Sequence, residues 1–198
     1  MFISFEGVDG SGKTTQARLL AERLRAEGRE VVETREPGGT RLGEQVRALL
    51  LDGGDIAPWA ETALFAAARA QLVAGVIRPA LERGADVVCD RYLDSSLAYQ
   101  GLARGLGLEA VLELNLACVG GLLPDRTVLL LLAPGDASAR RDSDPDRIER
   151  EGDDFAARVD RGYRELARRF PGRIVAVDAA GEPDALAERI RAELHDLP

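Results

Sequence analysis

The chain has 198 residues, a net charge of −8, and 45% hydrophobic and 30% charged residues. That is the size and composition of one soluble α/β domain with a real core. The acidic balance argues against a protein that grips nucleic acid or a membrane surface through a broad basic face. The longest aliphatic run, Val128–Ala133, is too short to span a bilayer. The N-terminus MFISFEG has no basic stretch followed by an apolar one, so no export signal is expected. Cys89 and Cys118 fall in no metal-binding spacing, and the expectation is a cytoplasmic protein with two reduced thiols.

In chain order, FISFE (2–6) reads as a short buried strand. Thr14–Glu27 reads as a helix stopped by Gly28, and Val31–Thr34 as a second strand. REPGGT (35–40) is a turn, Arg41–Leu51 a helix and LDGGDIAP (51–58) a loop. A long alanine-rich helix over Glu61–Arg83 ends at Gly84, and ADVVCD (85–90) is a buried strand. Helical stretches follow at Ser95–Gly101 and Leu108–Val119, then a strand at Thr127–Ala133. Arg140–Asp154 has 11 charged residues among 15 and is expected to face solvent. Phe155–Phe170 returns to helix, Arg173–Asp178 is the last strand and Pro183–Asp196 the last helix. Five apolar strands separated by helices imply an α/β fold: a three-layer, five-stranded parallel sheet covered by helices on both faces. Ligands bind such sheets beyond the carboxyl ends of the strands. The loops at 7–13, 35–40, 90–96 and 134–152 are therefore expected to share one cleft.

Gly7-Val8-Asp9-Gly10-Ser11-Gly12-Lys13-Thr14 fits G-x-x-x-x-G-K-[ST] between a strand and a helix, and Thr15 follows it. Glycines let backbone N–H groups turn toward phosphate oxygens, and the helix N-terminus adds a favourable dipole. Lys13 would reach the β- and γ-phosphates and Thr14 would hold Mg²⁺. Lys13 is the only lysine; the other basic residues are arginine. A compact ammonium fits inside a ring of amides where a planar guanidinium does not. No guanine-reading NKxD is present, and Asn115 is the only asparagine. A small ATP-dependent kinase is the class that remains.

On the acceptor side, Asp90 ends a buried strand where a metal-binding acid is expected, and Arg91 could grip a phosphate through two parallel bonds. Ser95, Ser96, Tyr99 and Gln100 follow with hydroxyl and amide groups. Phe65 and Arg69 are four apart, so they share a helix face that could stack on a base and bond its edge.

EGVDGSGKTTQ, TREPGGT (34–40), EQVRALLLD (44–52), LFAAARAQ (64–71), DRYLDSSLAYQG (90–101) and DRIE (146–149) stand in the order found in bacterial thymidylate kinases. The resemblance runs from Met1 to about residue 195. It implies the P-loop NTPase fold as a single domain over residues 1–198, with a lid at about 139–152. It implies phosphorylation of dTMP to dTDP by ATP with Mg²⁺, in a homodimer that uses neither nucleic acid nor membrane. It further implies that Phe65 stacks on thymine, Arg69 bonds its O4, and Arg47 and Arg91 hold the dTMP phosphate with Glu36 close by. Ser95, Ser96 and Gln100 would complete the pocket, Asp9 would bond the 3′-hydroxyl, and Tyr99 would disfavour a 2′-hydroxyl. The loop positions Val8–Ser11 lack a basic residue, so a lid arginine, Arg141 or Arg147, should supply charge at the transferring phosphate. Two features depart from the pattern: acids interrupt the lid (Asp142, Asp144, Asp146), and Ala133 stands where an aspartate is usual. The alternatives are a kinase of the same fold for another pyrimidine nucleoside or nucleotide, and, last, a non-catalytic nucleotide-binding module.

Overall fold

The computed structural model describes residues 1–132, 145–195 and 197. Its centre is a five-stranded, all-parallel sheet in the order β2-β3-β1-β4-β5, formed by β1 Phe2–Glu6, β2 Val31–Arg35, β3 Asp86–Asp90, β4 Arg126–Leu131 and β5 Ile174–Asp178. Alternation along each strand divides the core in two. Phe2, Val87, Cys89 and Leu129 face one side with Leu72, Leu97 and Val159. Ile3, Phe5, Val88, Val128 and Leu130 face the other with Ala21, Leu24 and Ile190.

The second face is covered by α1 Lys13–Ala26 and by the last helix, Pro183–Glu193, which we number α8. The first is covered by α3 Pro58–Leu72, α4 Arg78–Glu82, α5 Leu93–Ser96, α6 Leu108–Val119 and α7 Asp153–Arg169. The remaining helix, α2 Arg41–Asp52, begins at Thr40, whose hydroxyl accepts from Gly43 N, and packs on α3. The expected helix over Glu61–Arg83 starts a turn earlier, because Pro58 suits the first helical position. It runs unbroken to Glu82, α3 passing into α4 through a wide π-turn at Val73–Ile77. A second π-turn, Leu97–Ala103, continues α5.

Register brings the carboxyl ends together. Phe5 and Arg35 both pair with Asp90, and Glu6 pairs with Leu129. The chain therefore leaves β1, β2 and β3 side by side at 7–13, 36–40 and 91–92. These are the loops that carry the glycine-rich turn, the REPGG turn and the DRY sequence.

Candidate active site

Gly7 opens the glycine-rich turn at φ 140°. A Cβ there would stand 2.5 Å from Leu130 O and 2.8 Å from Ser11 Oγ, so only glycine lets the turn cross β4. Gly12, at φ 93°, delivers the chain to Lys13 at the start of α1, where no side chain caps the first turn. Those amides suit an anion. Lys13 is buried, donates from Nζ to Val8 O at 2.8 Å, and lies 3.7 Å from Asp9 Oδ1. Burial and the nearby Arg91 charge depress its pKa, while Asp9, Asp90 and Glu6 oppose the shift.

Arg91 is the only non-glycine among the described residues with positive φ, at 68°. Holding an L-residue there is strained. The fold fixes it by many bonds. Its N–H donates to Phe5 O, Nη1 donates to Gly7 O, Ser95 Oγ and Tyr163 Oη, and Nη2 donates to Asp9 Oδ1. Beneath it lies Glu6, which is fully buried. Glu6 accepts from Tyr92 N and Ser95 N with Oε1 and from the Ser95 and Tyr163 hydroxyls with Oε2. Burial, then the Asp94 charge, push the Glu6 pKa up against the pull of Arg91. For Asp9 burial acts the same way, but the Arg91 and Lys13 charges overcome it and hold the carboxyl well below its usual range. Asp9 Oδ2 has only a long contact with Tyr99 Oη, at 3.4 Å.

A cleft of about 1260 Å³ joins this cluster to the REPGG turn; Asp9–Ala17, Glu36, Arg47, Asp90 and Arg91 all line it. Arg47 is anchored by Nη1 to Pro37 O, next to the cis Glu36–Pro37 bond. Glu36 is buried with Oε2 on Arg69, while its Oε1 has no protein partner. Burial pushes its pKa up to about 7 against the Arg69 charge. Thr14 Oγ1 donates to Asp90 Oδ2 at 2.5 Å, and Asp90 Oδ1 is buried with no protein partner. A hydroxyl beside a half-used carboxylate, facing a phosphate turn, fits a hard divalent cation that takes its other oxygens from phosphate and water. Among the described residues no three His, Cys, Asp or Glu cluster into a dedicated cage.

Behind the cleft two helical faces oppose each other. Glu61, Phe65 and Arg69 follow at four-residue steps on α3, and Ser96, Gln100 and Arg104 do so on α5 and its π-turn. Arg69 is 1% exposed, and every guanidinium nitrogen is engaged. Nε donates to Glu36 Oε2, Nη1 to Ser96 Oγ and Asn115 Oδ1, and Nη2 donates to Tyr92 O and pairs with Glu36 Oε2 at 2.6 Å. A bond from Arg69 to a base requires one of these to open or be shared. At the other end Gln100 and Arg104 meet Glu61, at 2.8 and 2.7 Å. Phe65, partly buried, packs between the core clusters.

Arg147, expected at the transferring phosphate, does not line this cleft in the structure. It donates from its backbone N–H to Leu51 O, from Nε to Leu50 O and from Nη2 to Glu61 Oε2. A fully buried Glu61 needs cationic donors, and Arg147 is one of them. Arg141, with Arg140, Ala133, Asp142 and Asp144, lies outside the described residues. Phe65, Ser95, Ser96, Tyr99 and Gln100 also stand off the cleft lining but are bonded or packed to residues near it. Sequence reasoning missed Glu6, Glu61, Asn115 and Tyr163. The one available signal was a charged residue at the end of an otherwise apolar strand, Glu6 in FISFE.

A family model described as Thymidylate kinase matches residues 5–190. The chain is 52% identical to a thymidylate kinase of Desulforudis audaxviator, over all of this chain and 93% of that one. It is 50% identical to one of Bifidobacterium longum, over all of this chain and 98% of that one. Among solved structures, it is similar to a thymidylate kinase from Ehrlichia chaffeensis, with a TM-score of 0.83, 33% identity and 98% of both chains covered.

Proposed function

The chain belongs to the thymidylate kinase family, and from that premise we propose how its residues share the phosphorylation of dTMP by ATP. The observation that carries the assignment is the Lys13–Asp9–Arg91 cluster. It joins the glycine-rich turn to the arginine after β3 through two ion pairs on one carboxylate. The acceptor is already an anion, so the chemistry needs alignment and charge neutralisation rather than a strong base.

The turn Gly7–Thr15 binds the ATP phosphates, with Lys13 swinging from Val8 O to the transferring group. Arg91 and Arg47 hold the dTMP phosphate, Glu36 beside them. Phe65 stacks on thymine between the Arg69–Ser96 and Glu61–Gln100 contacts, and Ser95 steadies Arg91. Asp9 receives the 3′-hydroxyl and Tyr99 packs against the sugar. Thr14 and Asp90 would hold Mg²⁺, which supplies charge neutralisation on the phosphates. Because Arg147 is committed to Glu61, we assign the phosphate-facing role in the 139–152 lid to Arg141.

We further propose a cytoplasmic homodimer. The exposed apolar side chains Leu42 and Leu49 on α2 and Trp59 on α3 support pairing through these helices. A monomeric mass in sedimentation at micromolar concentration would remove this part of the reading. The roles themselves are tested by Arg91→Ala. Transfer to dTMP should fall about 10²–10³-fold, as for loss of one preorganised charge donor, while calorimetry shows ATP affinity within a few-fold of wild type. Equal losses on both substrates would place Arg91 elsewhere.

A further inference from the structure

Glu61 accepts four bonds while fully buried. Oε1 takes Gln100 Nε2 at 2.8 Å and Arg104 Nε at 2.7 Å, and Oε2 takes Arg104 Nη2 at 2.9 Å and Arg147 Nη2 at 2.5 Å. Burial would raise its pKa, but the bonds from Arg104, Arg147 and Gln100 prevail and hold it below the usual range, so it is a carboxylate. Arg147 also donates from Nε to Leu50 O and from its backbone N–H to Leu51 O. These are carbonyls of the last turn of α2, which lack partners within the helix. Arg104 closes the circuit through Glu151 at 2.9 Å. Three acceptor-side segments therefore meet at one ion pair: α2, which carries Arg47; α3, which carries Phe65 and Arg69; and the π-turn, which carries Tyr99 and Gln100.

We propose that the Glu61–Arg147 pair is a positioning element for the acceptor pocket: it fixes the spacing of α2, α3 and the π-turn, and so sets affinity for the deoxynucleoside monophosphate rather than the rate of transfer. The proposal rests on the pocket assignment given above. It separates Arg147 from an arginine that touches the transferring phosphate, because the two roles move different constants. The pair's own contacts are with α2, α3 and the π-turn, and none is with the glycine-rich turn, so ATP affinity should not follow.

The test is steady-state kinetics of full-length Arg147→Met, Glu61→Gln, the double variant and Phe65→Ala, with thermal unfolding of each. Arg147→Met should raise the dTMP KM about tenfold, within the coupling range of residues in one network, with kcat and the ATP KM changed by less than about threefold. Arg147→Lys should recover only part of that affinity, since an ammonium cannot serve Leu50 O and Glu61 as a fork does. The double variant should be no worse than Glu61→Gln alone. A large fall in kcat at unchanged dTMP KM would overturn the proposal and return Arg147 to the phosphates. A lower Tm with unchanged dTMP KM would reduce the pair to a structural bond. If Phe65→Ala raises the dTMP KM and Arg147→Met does not, this inference fails and the pocket assignment stands; if neither does, both fail. Should Glu61→Gln not fold, Arg147→Met alone decides.

Discussion

Replacing Asp9 with asparagine keeps the shape of the side chain and removes its charge. In the free protein Oδ1 is held by Arg91 and sits 3.7 Å from Lys13 Nζ, whereas Oδ2 has only the 3.4 Å contact with Tyr99. Oδ2 is thus the oxygen available to a sugar hydroxyl. A hydrogen bond to a charged group contributes about 1.5–3 kcal/mol, which is about 10- to 100-fold in affinity. The wild type should therefore bind dTMP 10- to 100-fold better than its 3′-deoxy analogue, while Asp9→Asn should discriminate by less than about fivefold. Calorimetric titration of both ligands into both proteins closes the cycle and cancels general effects of the substitution. If wild type and variant discriminate equally, Asp9 does not bond the 3′-hydroxyl and serves only as counter-ion to Arg91 and Lys13.

Lys13→Ala should lower kcat about 10²–10³-fold with little change in the dTMP KM, measured in single-turnover experiments; a pure KM effect would contradict its role at the transferring group. Phe65→Ala should raise the dTMP KM by about tenfold or more and leave the ATP KM alone, and equal shifts in both would take Phe65 out of the base pocket. For Glu36, a folded pKa raised to about 7 from 4.5 means that the native state holds a proton which the unfolded chain releases. Its stability contribution is complete below about pH 4.5 and is lost as pH rises through about 7. Urea midpoints of wild type should therefore fall relative to Glu36→Gln between pH 5 and 8, and a rising difference would refute the assignment.

Much of the fold was written in local pattern. Strands buried on both faces read as apolar runs, and Gly12, Gly28 and Gly84 mark boundaries because each sits at positive φ next to a helix end. The phosphate turn was equally legible, since its chemistry lies within eight consecutive residues. The strand order was not, because it depends on which crossover passes which face. Neither were the π-turns: Leu97–Ala103 has the same apolar spacing as an ordinary helix, yet its wider turn carries Tyr99 and Gln100. The buried polar network was the least visible. Glu6 meets Tyr163 across 157 residues and Arg69 meets Asn115 across 46. Composition would put an arginine such as Arg69 in solvent and a glutamate such as Glu61 at an ordinary helix start. Only tertiary pairing makes their burial tolerable.

The backbone of Arg91 has a consequence for anyone who would make this chain more robust. A left-handed φ of 68° invites glycine, which would relieve roughly 1 kcal/mol or more of strain. A search for stabilising substitutions guided by backbone geometry would therefore rank this position highly. The same change would delete the guanidinium that bonds Gly7, Ser95, Tyr163 and Asp9 above the buried Glu6, a loss of about 3–5 kcal/mol that outweighs the strain relieved. Backbone geometry alone therefore misranks this position: the strain is held by the side chain's own bonds, and glycine would lose those together with the proposed grip on the acceptor phosphate.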